Sequence, residues 1–295
     1  PQRERAVLQR LIDTVPGRDT AWRLRSQLLE SHLLFGEFDA ALALLDQWTE
    51  LPGGDLIVPP ERARTLLMAD RPNDAVAVAG AFLAEAPDDG DRRLLYYSVL
   101  TAAADYEPLI AQLEVWRAQE PEEPRWVRGL AEALLADEQP DEAIAALTGF
   151  TPRTLVVDLE LRSLRARCVA AAGQLDDAVE QYRRLLLEDV VRLSPDQQDG
   201  LRRDLLQVLI DAGETDRALA ELEQWLSAAP GPAAAAALRR LQMYVYHEAG
   251  RQAEYEAIGL ALLAEHPDDP GLNNDLGYTW IEAGRDIERA TAMVR

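Results

Sequence analysis

Short turn motifs return along this chain at a spacing close to 34 residues, and a period of that length restricts the fold to an array of like supersecondary units. The stretches Gly36 to Ala41, Gly173 to Ala178 and Gly213 to Ala218 each run from a glycine through polar residues to an alanine five positions on. The same frame accepts Asp70 to Ala75, Ala104 to Leu109, Glu138 to Ala143 and Gly250 to Tyr255, and Gly284 to Ala290 with one extra residue. The closing positions 41, 75, 109, 143, 178, 218, 255 and 290 differ by 34, 34, 34, 35, 40, 37 and 35. Two further series share the period. Trp48, Phe82, Trp116 and Phe150 stand 34 apart, with Trp225 at the equivalent place. Pro87, Pro121, Pro230 and Pro267 follow their closing positions by 12 residues.

Each unit reads as two helices. In the fifth, Leu161, Leu164, Cys168, Val169 and Ala172 recur near helical spacing. Gly173 then ends the helix, because glycine reaches positive φ without a steric penalty. Asp176 falls near the start of the next helix, where a carboxylate satisfies free N–H groups and the dipole. Pro59, Pro60, Pro72, Pro108, Pro140 and Pro195 read as first-turn prolines, whose missing N–H costs little there. The pattern predicts hairpins turning near Gly36, Asp70, Ala104, Glu138, Gly173, Gly213, Gly250 and Gly284. The interval of 40 residues is expected to hold a longer helix through Leu185 to Arg192, either as a tolerated insertion or as a break in curvature.

These residues resemble the tetratricopeptide-repeat (TPR) family, in its bacterial type. The last unit carries the resemblance best, in Leu276, Gly277, Trp280, Gly284 and Ala290. Other units depart from the family pattern: Leu29, Tyr97, Leu206 and Met243 stand where it has a small residue, and the aromatic series replaces its usual alanine. The resemblance implies an all-α, right-handed superhelical solenoid of about eight hairpins. It is expected as a single array over 1–295, with a partial preceding repeat at 1–20, units one to five at 21–193 and units six to eight at 194–295, the last truncated.

The chain has 52 acidic and 30 basic residues, a formal charge of −22, and every basic residue other than histidine is arginine. A field of that sign repels nucleic acid and anionic membrane surfaces. Arginine in turn makes forked contacts with carboxylates. Cys168 is the sole cysteine, so no intrachain disulfide or thiolate metal cluster forms, as in a reducing, cytoplasmic setting. No apolar run reaches about 18 residues, the length of a membrane span. The chain begins at Pro1 and ends at Arg295 within a helical pattern, and reads as a fragment whose leader is open to question.

No catalytic, cofactor or metal constellation emerges, and the chain reads as a non-enzyme. His32, His247 and His266 fall in three different units; His32 reads as a packed core imidazole, His266 as a helix-end residue, and His247 as the one on an inner face. Asp88–Asp89 and Asp268–Asp269 precede helices and read as caps. Gly53–Gly54 follows no strand, which argues against a phosphate cradle. The Trp/Phe series reads as seam packing between repeats, with a stacking platform as its alternative.

What remains is binding. The resemblance implies that first helices line a concave groove, which places Arg64, Arg125, Arg128, Arg167, Arg203, Arg240, Tyr244, His247, Asn274 and Tyr278 inward. Glu30, Asp91, Glu132 and Glu160 map there too, so internal neutralisation competes with ligand capture. The family's Lys/Asn carboxylate clamp is absent, since Ser26 and Glu30 occupy clamp-like places. The expected function is a protein-interaction scaffold or adaptor that grips a partner segment, an acidic one, in this groove. The alternatives are a self-assembling structural solenoid and a regulatory module of a larger enzyme or regulator.

Overall fold

The computed structural model describes residues 2–15, 17–188 and 193–294. Among them are 17 α-helices and no strand. The chain divides into two compact units, Pro1–Glu138 and Gln139–Arg295. The division falls inside the fourth predicted hairpin.

Unit 1 holds α1 (Gln2–Thr14), α2 (Arg18–Leu34), α3 (Phe38–Thr49), α4 (Gly54–Met68), α5 (Pro72–Glu85), α6 (Gly90–Ala102), α7 (Tyr106–Gln119) and α8 (Pro124–Ala136). Each packs on the next, and α4 also touches α6, so first helices lie side by side. Unit 2 holds α9 (Pro140–Leu147), α10 (Leu155–Ala171), α11 (Leu175–Glu188), α12 (Pro195–Asp211), α13 (Thr215–Ser227), α14 (Pro232–Glu248), α15 (Gln252–Glu265), α16 (Pro270–Glu282) and α17 (Ile287–Met293). There again consecutive helices pack, and α12 touches both α10 and α14.

All eight predicted turns are found where they were expected. Gly36, Asp70, Ala104, Glu138, Gly173, Gly213, Gly250 and Gly284 each stand between two helices with φ between 52° and 80°. The turn after α10 shows the closure: Gly173 N–H donates to Ala170 O and Gln174 N–H to Val169 O, which occupies the carbonyls that a helix end leaves open.

Prolines behave as read at Pro72, Pro140 and Pro195, each the first residue of its helix. Ser194 closes a full capping box with Gln197 at the start of α12. Pro59 and Pro60 are a correction, because α4 begins at Gly54 and carries them in its interior. The helix is seeded early by Gly53, at φ 85°, and by Gly54, where a β-carbon would lie 2.3 Å from Trp48 O. The prolines leave the carbonyls of Asp55 and Leu56 without helical donors, tolerable where Leu56 is exposed to water.

The aromatic series is largely seam, as expected: Trp48, Phe82 and Trp116 are buried. Phe150 is a second correction. α9 ends at Leu147, Gly149 turns the chain at φ 87°, and Phe150 lies beyond the helix, half-buried. The expected helical extension through Leu185 to Arg192 lies partly outside the described residues, α11 being described to Glu188; Arg295 lies outside them too.

Unit 1 also holds a polar knot that the sequence reading missed. Arg93 is 4% exposed, and its Nε donates to Pro87 O at 2.7 Å. Its Nη1 donates to Glu120 Oε1 at 2.7 Å, and its Nη2 to Asp88 Oδ1 at 2.8 Å and Gln119 Oε1 at 2.9 Å. A buried guanidinium needs such saturation, since an unpaired one is costly. Of the Asp88–Asp89 pair, therefore, only Asp89 caps α6, through Arg92 N–H. Asp88 serves Arg93.

Candidate binding groove

The inner positions predicted from sequence separate into paired and unpaired arginines. Arg64 on α4 is held by Glu30 at 2.5 Å and by Glu61 at 2.7 Å. Arg125 on α8 bonds Glu123 at 2.9 Å and lies 5.5 Å from the Trp126 ring centre. Arg128, also on α8, is exposed and stands near Tyr97 of α6. These three belong to unit 1, and in Arg64 and Arg125 the neutralisation that competes with ligand capture is realised.

In unit 2 the picture differs. Arg167 on α10 and Arg203 on α12 are exposed, and neither makes a hydrogen bond or ion pair among the described residues. Beneath Arg167 lies a buried network that joins three helices. Tyr182 O–H donates to Ser163 O at 3.0 Å, and Ser163 Oγ–H donates to Asp204 Oδ2 at 2.7 Å. Burial pushes the Tyr182 hydroxyl well above the ordinary tyrosine range. This network fixes α10 against α12 and thereby the helices that carry Arg167 and Arg203. Arg203 acts on Tyr244 of α14, whose hydroxyl bonds Gln207 of α12.

From there the face opens into a cleft of about 470 Å³ between α14 and α16. It gathers five of the predicted residues: Arg240, Tyr244, His247, Asn274 and Tyr278. Six lining residues that were not predicted for the groove join them. Met243 and Leu272 form apolar wall, and Asp275 and Glu282 add carboxylates. Tyr255 of α15, buried and 5.7 Å from the His247 ring centre, forms the floor. Arg240 is paired: its Nη2 reaches Asp269 at 2.5 Å, while Asp269 Oδ1 accepts the Leu272 N–H at 2.9 Å and caps α16. The two acids were legible as neighbours of Tyr278 on one helix face, at three residues before and four after it.

Among the described residues no group of three or more His, Cys, Asp and Glu side chains is placed to hold a metal ion, and no helix is long and apolar enough to cross a membrane. His32 bonds Glu37 at 2.8 Å from a half-buried position, as a packed imidazole. Cys168 is fully buried.

No protein-family model matches the sequence, and no curated protein matches it by sequence. Solved structures do match. A TPR protein from Parabacteroides merdae ATCC 43184 superposes with a TM-score of 0.50 at 11% identity, over 85% of this chain and 95% of that one. A thermophilic TPR protein of Thermus thermophilus gives a TM-score of 0.41 at 20% identity, over 64% and 96%. The first of these establishes a shared fold, and the sequential hairpin packing agrees with it.

Proposed function

We propose that this chain, a TPR fold, is a non-catalytic scaffold that binds a protein partner along the inner face of unit 2. One observation carries the reading: Arg167 and Arg203 stand exposed and without a partner among the described residues, beside an aromatic cleft, in a chain of charge −22. Many arginines of this acidic chain are held by carboxylates, as Arg64, Arg183 and Arg240 are. Arg167 and Arg203 on this face are not, and they remain open to carboxylates of another chain, which guanidinium forks grip with direction. The acidic exterior repels anionic segments elsewhere and leaves this strip as their attractive entry.

The test is capture of partners from native extract by the immobilised chain, identified by mass spectrometry. The variant Arg167→Glu/Arg203→Glu is compared with the outer-face control Arg184→Glu/Arg217→Glu. The control arginines are paired with Glu180 and Asp176. The inner pair should lose the captured species and the control should keep it. Equal recovery by both would move the binding surface elsewhere.

A further inference from the structure

The inner face of unit 2 changes sign along its length. The α12 carboxylates Asp204 and Asp211 are hydrogen-bonded to Ser163 and Gln207. At α10 and α12 the charges of this face without a hydrogen bond or ion pair among the described residues are the cations Arg167 and Arg203. At the cleft between α14 and α16 they are anions, because Asp269 neutralises Arg240 while Asp275 and Glu282 make no ion pair among the described residues. Those two carboxylates sit seven residues apart on α16, on one helix face, with Tyr278 between them. Tyr278 is 53% exposed, so its ring is open to contact, and Tyr244 faces it from α14. Burial first, then Glu248 of α14 and Asp211 of α12, raise the Tyr244 hydroxyl above its ordinary range, against the opposing pull of Arg203.

We propose that the cleft receives an arginine side chain of the protein partner. A guanidinium is planar and weakly hydrated, so it stacks on the tyrosine rings while its N–H groups donate to the flanking carboxylates. A carboxylate in the same place would meet Asp275 and Glu282 with Arg240 already engaged. The proposal rests on the binding reading above and refines it. The partner segment carries acidic residues toward α10 and α12 and an arginine toward α16, and this charge order sets its direction along the face.

The test uses the ¹⁵N-labelled chain titrated with N-acetyl-arginine methylamide, followed by the amide signals of Asn274, Asp275 and Thr279. Saturable shifts at these amides are expected. In Asp275→Asn/Glu282→Gln, affinity should fall about tenfold while the remaining spectrum is unchanged, which shows that the fold persists. An unchanged dissociation constant in that variant would overturn the proposal. So would the absence of saturable shifts, or N-acetyl-glutamate methylamide shifting the same amides more tightly. Such a failure leaves the reading at Arg167 and Arg203 standing, because those residues lie outside the cleft and are tested by the charge reversal alone.

Discussion

Trp116 of α7 and Trp126 of α8 lie with ring centres 4.8 Å apart at 41°, which pins a second helix to the first helix that follows it. The pair is tied to the Arg93 knot from both sides. Arg93 lies 5.9 Å from the Trp116 ring, and the Trp126 indole N–H donates to Glu120 at 2.7 Å. Trp116 is 2% exposed, so Trp116→Ala opens a cavity that its neighbours fill only in part. The expected loss is about 3–5 kcal/mol, read from denaturant unfolding. In a repeat array the damage should concentrate in α7, α8 and their neighbours, as local gains in amide exchange. An unchanged unfolding midpoint would mean that the ring does not hold the seam together.

The eight turns make a stability prediction with opposite signs at different positions. Ala104 and Glu138 hold φ of 52° and 59°, where a β-carbon crowds the backbone. Glycine there removes the strain but gives the unfolded chain more freedom. Ala104→Gly should therefore stabilise by about 0.5–1 kcal/mol, whereas Gly173→Ala, at φ 80°, should cost about 1 kcal/mol. Thermal melts of the two variants beside the parent decide it, and matching shifts of one sign would refute the assignment.

Tyr182 links stability to alkaline pH. Its hydroxyl pKa is raised in the folded state by burial, so the unfolded chain gives up this proton at lower pH. Its contribution is complete below about pH 10, the ordinary tyrosine value, and is lost as pH rises toward the raised folded value. Tyr182→Phe removes the hydrogen bond to Ser163 O and should cost about 1 kcal/mol at neutral pH. Its stability should then decline less steeply than the parent's above pH 10. Parallel curves would show that Tyr182 does not dominate the alkaline limb.

The turns and the helix pairing were legible because each repeat restates them: the same frame recurs until Asp70, Ala104 and Glu138 are recognised where glycine is missing. Non-repeating chemistry was not. The early start of α4 depends on Gly54 fitting under the Trp48 carbonyl, a backbone contact that the recurrence of the Trp48 side chain does not report. Arg93 belongs to none of the repeating series, and only the fold brings Asp88, Gln119 and Glu120 to it. In the groove, the inward positions were readable but the pairing was not. Asp269 looks like a cap in the sequence and is one, yet it also removes Arg240 from the supply of open cations.

That dual role of Asp269 yields the last prediction. If Arg240 is a ligand-gripping cation, Arg240→Gln weakens whatever the cleft holds. If Arg240 instead balances Asp269, the substitution leaves one more uncompensated carboxylate beside a cleft that already carries two. The structure favours the second outcome, since the Arg240 guanidinium lies on Asp269 and not on Asp275 or Glu282. N-acetyl-arginine methylamide should then bind Arg240→Gln more tightly by about twofold to fivefold, the equivalent of roughly 0.5–1 kcal/mol for an exposed charge. The gain should shrink with added salt, because the charges involved are screened over about 10 Å at 0.1 M. The cap is expected to survive, because Asp269 Oδ1 bonds the Leu272 N–H independently of Arg240. Weaker binding in Arg240→Gln, with α16 intact by its amide signals, would assign Arg240 to the ligand and reverse the polarity proposed for the cleft.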